Sequence, residues 1–251
     1  MMPVIRENLP IDSDIVLLGE MYGFLLEPLK HHGLKGIIVP ANPYIDKRLA
    51  SHVDMSVLHA GENGIFLSQY LKGTSFEKEL IDLGFIIRYP NFNQDRFYPY
   101  DCQLNICVCG DKIIFNDKTA SKTVVSLLNS SHNCFIKCNQ GYTKCLVSVV
   151  DENSIITSDP GIASACEKEG IDVLLIRQGY IELDGYEYGF IGGASFKSAY
   201  NKMMFTGSLD GHPDKERILK FLSDRDIEAI FLTENKIFDV GSVLPITEKQ
   251  R

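Results

Sequence analysis

Apolar positions along the chain recur in a fixed order: two short runs joined by a tight turn, a stretch with helical spacing, then a third short run. The order is clearest after Cys145. Leu146 to Val150 predicts a strand, Asp151-Glu152-Asn153 a turn, and Ser154 to Thr157 the returning strand. Ser158 or Asp159 is placed to cap the helix that follows, Pro160 suits its first turn, and Gly170 stops it. Ile171 to Ile176 is then a continuous apolar run, the pattern of a strand covered on both faces.

The same order recurs upstream and downstream. Leu104 to Val108 and Lys112 to Phe115 flank a turn at Gly110-Asp111, with helical spacing over Thr119 to Asn129 and a closing strand at Cys134 to Lys137. Met55 to His59 and Ile65 to Leu67 form an earlier hairpin, followed by a helix from Ser75 to Leu83, Gly84, and a strand over Phe85 to Arg88. Phe196 to Tyr200 and Met203 to Thr206 form a later one, with Pro213 opening a helix through Leu222 before Ile227 to Leu232. Equivalent points at Cys102, Cys145 and Ser195 lie roughly 40–50 residues apart, a period typical of structural repeats.

The two ends complete each other. Ser242 to Ile246 predicts a first strand with no helix after it, whereas Ile15 to Leu18 predicts a strand with a helical stretch to His32, Gly33, and then a strand over Gly36 to Val39. Pro28 should kink or shorten that helix. Joined, the ends make a fifth unit and close a ring. The expectation is one α/β domain over 1–251, a five-bladed propeller of ββαβ units with one blade shared by the N- and C-termini. The units run over 241–251 plus 12–41, 54–91, 102–139, 144–178 and 194–235. An ordinary doubly wound sheet also alternates strands and helices, but it does not place a hairpin before every helix.

Composition narrows the function. The formal charge of −8 over 251 residues, with no dense Lys/Arg run, argues against a nucleic-acid partner. An acidic balance mildly favours cationic ligands. No run has signal-peptide or membrane-span character, and seven scattered cysteines without CxxC spacing fit a reduced, cytoplasmic setting with no membrane partner. Cys107 and Cys109 share one face of a strand and read as core rather than metal ligands. His31 and His32 fit a helix end, and Asp210-Gly211-His212-Pro213 a helix start with a surface histidine. Gly192-Gly193 lacks the lysine of a phosphate loop.

Five such units in a ring resemble the pentein, or guanidine-modifying enzyme, fold over nearly the whole chain, and the run is similar to a bacterial branch of that superfamily. Three short segments carry the resemblance. Ser51-His52-Val53-Asp54 resembles the family's His-x-Asp, Gly141-Tyr142-Thr143-Lys144-Cys145 its Gly-x-x-basic-Cys, and Asp239-Val240-Gly241-Ser242-Val243 its Glu-Gly-Gly-Asp-Val. The resemblance implies Cys145 as nucleophile, His52 as general acid/base, and Asp54 and Asp239 as carboxylates for a guanidinium. Around the ring the order is Asp239, then His52, then Cys145, which lies 93 positions beyond His52. That cyclic order matches the family, with the chain opened at a different blade.

The departures are also specific. Family members carry the catalytic cysteine near the C-terminus, and Gly241 to Ile246 holds none; Asp239 stands for a glutamate; and Gly192 to Phe196 lacks the acidic residues of that blade. The superfamily includes deiminases, dimethylarginine hydrolases and amidinotransferases, but also non-enzymatic ribosome anti-association factors. The implied activity is therefore a cysteine-dependent hydrolase or transferase of a small cationic guanidine, needing neither metal nor organic cofactor. The alternative is a non-catalytic propeller that binds a protein, a ribosomal surface or a small ligand. On the residues alone, Cys145 also reads as a small buried side chain, His52 with Asp54 as a structural pair, and Asp239 as a turn cap. The enzyme reading expects Cys145 to alkylate faster than the other six cysteines.

Overall fold

The computed structural model describes residues 8–92, 94–129 and 134–249. In chain order the elements are β1 (Ser13–Gly19), α1 (Leu26–His31) and β2 (Lys35–Val39); then β3 (Val57–His59), β4 (Gly64–Leu67), α2 (Ser75–Asp82) and β5 (Ile86–Arg88). Next come β6 (Cys107–Cys109), β7 (Lys112–Phe115), α3 (Lys122–Leu128) and β8 (Cys134–Lys137). They are followed by α4 (Thr143–Leu146), β9 (Val147–Asp151), β10 (Ser154–Thr157), α5 (Pro160–Lys168) and β11 (Asp172–Leu175). The last elements are β12 (Ser195–Ala199), β13 (Lys202–Phe205), α6 (Lys215–Ser223), β14 (Glu228–Phe231) and β15 (Leu244–Glu248).

These strands form five three-stranded sheets, ordered β15-β1-β2, β3-β4-β5, β6-β7-β8, β9-β10-β11 and β12-β13-β14. In each, the first strand runs antiparallel to the second and the second parallel to the third. The ring closes between the chain ends, where Val16 faces Pro245 and Leu17 faces Leu244. Pro245 is tolerated because β15 has a partner on one side only. First strands pack side by side, β9 against β6 and β12, and β12 against β15. The fold is thus the five-bladed α/β propeller that the repeat pattern predicts.

Burial explains which strands were legible. The second strands are buried at nearly every position, and β10 at all four. Third strands are outermost: Asp172 and Leu175 of β11 are exposed, so the run at Ile171 to Ile176 is covered less fully than its composition predicts. Apolar side chains fill the junctions between blades, as where Val150 and Ile156 meet Met203, Phe205, Ile218 and Leu222. Gly84 and Gly170 follow α2 and α5 with φ of +91° and +77°, conformations that favour glycine.

Local chemistry sets the helix starts. Thr74 Oγ1 accepts from the Glu77 amide while Glu77 Oε2 accepts from Gly73, a reciprocal cap for α2. Asp159 caps α5 through the Ile162 amide at 2.7 Å. Helix α3 starts later than the spacing predicts, because Ser121 takes the capping position and accepts from Val124. Pro28 falls in the first turn of a short α1, preceded by a 3-10 segment over Glu20–Leu25. Contrary to expectation, His212 is buried rather than at the surface, with Nδ1 accepting from the Asp214 amide at 3.1 Å. Among the described residues, no helix is long and apolar enough to cross a membrane.

Candidate active site

Cys145 does not begin a strand. It sits in the single turn of α4, immediately before β9, a residue 3% exposed that lines a cavity. Two side chains from other blades hold the sulfur. Asn105 Nδ2 donates to Sγ at 3.1 Å, and the thiol donates to Asp54 Oδ2 at 3.1 Å. The amide orientation of Asn105 is fixed by its other end, since Oδ1 accepts from the Lys144 and Cys145 backbone amides at 2.7 and 3.2 Å. With the oxygen so occupied, the –NH2 group must face the sulfur.

Asp54 lies in a 3-10 turn over Val53–Met55 that follows His52, which places the two side chains together at the start of the β3 blade. The nearest ligand atoms of His52, Asp54 and Cys145 all fall within 4.8 Å of one another. His52 Nε2 and Asp54 Oδ1 are buried and have no hydrogen-bond partner. Such atoms are costly unless a ligand, water or ion completes them. The three donors would also accept a divalent cation.

The shared blade supplies the rest. Asp239 lines the same cavity, and its two oxygens accept from the amides of Phe190 at 2.9 Å and Gly241 at 2.8 Å. It therefore anchors two loops, as a turn-capping carboxylate would, while each oxygen keeps a further acceptor site. Gly241 has φ of +65°, and a Cβ there would lie 2.1 Å from the Cβ of His52. Ser242 has φ of +71°, a conformation unfavourable for a side chain. This backbone directs Ser242 Oγ to Asp54 Oδ2 at 2.6 Å, and the same hydroxyl accepts from Lys144 Nζ at 3.1 Å. A buried cation is thus linked through one hydroxyl to the buried carboxylate beside the thiol.

Gly193 locks these parts together. Its amide donates to Cys145 O at 2.9 Å, and its carbonyl accepts from Val240 and Ser242. A Cβ at Gly193 would stand 1.9 Å from Asp239 Oδ1, so only glycine lets this loop pass. The Gly192-Gly193 pair is a close-approach element rather than a phosphate loop.

Electrostatics follow from burial. Desolvation pushes the Cys145 thiol well above its usual value, reinforced by Asp54 and Asp239. Burial raises Asp54 and lifts Asp239 to about 6. His52 is depressed to about 4 by burial, despite Asp54 nearby, and is neutral at pH 7. Without a ligand the centre holds a protonated thiol and a neutral imidazole.

All four residues singled out in the sequence meet at one axial cavity or directly beneath it. Asn105, Lys144 and Ser242 were missed as individual contributors. Asn105 was read as part of a strand, and its one signal was a polar residue inside an apolar run at the mouth of a unit.

A five-bladed ring with Cys, His and Asp converging on its axis defines a protein of the pentein fold. Similar solved structures agree. An amidinotransferase from Microseira wollei in the saxitoxin biosynthetic pathway superposes with a TM-score of 0.64 at 10% identity, covering 99% of this chain and 98% of that one. The inosamine-phosphate amidinotransferase of Streptomyces griseus gives 0.61 at 8%, covering 100% and 98%. A DDAH from Pseudomonas aeruginosa complexed with citrulline gives 0.54 at 10%, covering 88% and 92%. At these identities the likeness is one of fold. Within that fold the chain belongs to a family of unknown function, DUF6873, whose model matches residues 16–244. No curated protein matches it in sequence.

Proposed function

We propose that this protein is a cysteine-dependent hydrolase or transferase that attacks the central carbon of a small guanidine or related amidine. The observation that carries the reading is the environment of one sulfur. Cys145 Sγ is held between the Asn105 amide and the Asp54 carboxylate, within reach of an unpartnered His52 Nε2, in a cavity that Asp239 also lines. A merely structural cysteine needs none of these.

A guanidinium carbon is stabilised by delocalisation, so attack requires a thiolate. A guanidinium entering the cavity brings a cation to Asp54 and Asp239, whose planar carboxylates match its N–H fork. The same cation offsets the burial and, after it, the carboxylate repulsion that hold the thiol protonated. The thiol proton passes to neutral His52, while Asn105 Nδ2 donates to the sulfur as it becomes anionic. A sulfur lone pair forms the C–S bond and the C=N pair moves onto nitrogen. His52 returns its proton to the leaving amine as the C–N bond breaks. The amidino group then sits on sulfur as a thiouronium. Water, deprotonated by His52, converts it to a ureido product and releases the thiol; an amine in place of water gives amidino transfer.

The test is turnover of arginine, agmatine and methylated arginines, followed by release of amine and ureido product. Cys145→Ser should abolish turnover while leaving binding. No product from any guanidine, with Cys145 alkylating no faster in the presence of guanidinium ion, would refute catalysis. The expectation of a fast-reacting Cys145 is refined accordingly: the resting thiol is protonated, and reactivity should appear when a cation occupies the site.

A further inference from the structure

The cavity above Cys145 has a volume of about 280 Å³, just below the roughly 300–1,000 Å³ of pockets that take drug-sized ligands. That leaves room for a guanidinium and one ring or short chain. Its walls are Leu49, Met55, Leu183 and Phe190, with Tyr142, Tyr186 and Tyr188. Apart from His52, Cys145 and the tyrosine hydroxyls, the ionisable groups on this wall are two carboxylates, Asp239 at the base and Glu187 at the rim. No lysine or arginine lines it among the described residues.

Arg48 behind the wall and Lys144 beneath the floor are both committed to protein partners. Arg48 forms a fork with Asp46, at 2.9 Å from Nε and 2.8 Å from Nη2, and its Nη1 donates to Gly185 O at 2.9 Å. Its guanidinium carbon stands 4.4 Å from the centre of the Tyr186 ring and backs that ring from outside the cavity. Lys144 is buried beneath the floor, bonded to Ser242 Oγ and Gly192 O. A carboxylate on a ligand would therefore enter a half-buried, apolar space whose lining holds two like charges and no lysine or arginine among the described residues.

Resting on the guanidine reading above, we infer that the substrate is a guanidine carried on an apolar or aromatic body without a carboxylate, and that arginine and other α-amino-acid guanidines are rejected. The tyrosine and phenylalanine faces accept a flat or aliphatic body, and Glu187 accommodates a second cation or hydrogen-bond donor at its far end.

The experiment measures binding to Cys145→Ser protein by calorimetry, and turnover by wild type, with 2-phenylethylguanidine, agmatine and arginine. The two carboxylate-free compounds should bind about 100-fold more tightly than arginine, the scale set by leaving one polar or charged group unpaired on burial. Glu187→Lys, which puts a cation at the rim, should narrow the gap between agmatine and arginine at least several-fold. Arginine binding as well as agmatine and 2-phenylethylguanidine overturns the inference, as does a Glu187→Lys protein with an unchanged ratio. Selective binding without turnover supports the selectivity and refutes catalysis; turnover with arginine preferred does the reverse. No binding of any guanidine overturns both.

Discussion

Asn105→Asp isolates the contribution of one hydrogen bond to the reactivity of Cys145. The substitution is isosteric. A carboxylate oxygen still accepts from the Lys144 and Cys145 amides, now at 2.7 and 3.2 Å from Oδ1, so the turn that presents the thiol keeps its anchor. What disappears is the N–H that donates to Sγ at 3.1 Å. A hydrogen bond to a charged group contributes about 1.5–3 kcal/mol, which corresponds to a thiol pKa higher by roughly 1–2 units. Any ionisation of the new carboxylate adds repulsion in the same direction. Iodoacetamide labelling of Cys145 in the presence of guanidinium ion, followed by peptide mass spectrometry across pH, reads this directly. The labelling rate at a fixed neutral pH should fall roughly 10–100-fold, with its pH profile displaced upward. Labelling of half-buried Cys134, remote from the site, serves as the internal standard. An unchanged profile for Cys145, in a variant that still folds, would remove Asn105 from the chemistry.

Other consequences are equally specific. Gly193→Ala should displace Asp239, because the added Cβ falls 1.9 Å from its Oδ1; we expect a loss of about 1–3 kcal/mol in denaturant unfolding and collapse of guanidine binding. His59 lies away from the site, and burial depresses it to about 4 from an ordinary value near 6.5. The unfolded chain therefore takes up a proton that the folded state refuses, so its contribution is fully present above pH 6.5 and is lost as pH falls toward 4. Wild type should lose about 3 kcal/mol more than His59→Leu over that interval by urea titration, and parallel curves would contradict it. Turnover should survive chelators, whereas zinc should suppress it, because His52, Asp54 and Cys145 offer one ion three donors within 4.8 Å of each other. Zinc binding, read by calorimetry, that is as tight in His52→Ala and Asp54→Asn proteins as in wild type would place the ion elsewhere.

Much of the fold was legible because each unit carries its own local signals. Glycines such as Gly84 and Gly170 end the helices, hairpin turns separate the paired strands, and the second strands, buried at nearly every position, carry apolar pairs at their centres. The split blade was legible by subtraction, since each chain end lacks what the other provides. The site was legible only as far as short motifs reached, at His52, Asp54, Cys145 and Asp239. Ser242 lies 188 positions from the Asp54 it contacts, and Asn105 lies 40 from the Cys145 it supports. No local periodicity encodes such pairs; they exist only once the ring closes. The burial of His212 escaped for a similar reason, because a sequence suited to a helix start says nothing about what packs over it.

The most direct test of the account is the mass of the Cys145 peptide after acid quench during incubation with a turned-over guanidine. The account predicts an amidino adduct on Cys145 that is absent from Cys145→Ser and sharply reduced in His52→Ala, which lacks the acid for the leaving amine. Steady turnover with an unmodified Cys145 peptide, or undiminished activity in Cys145→Ser, would contradict it.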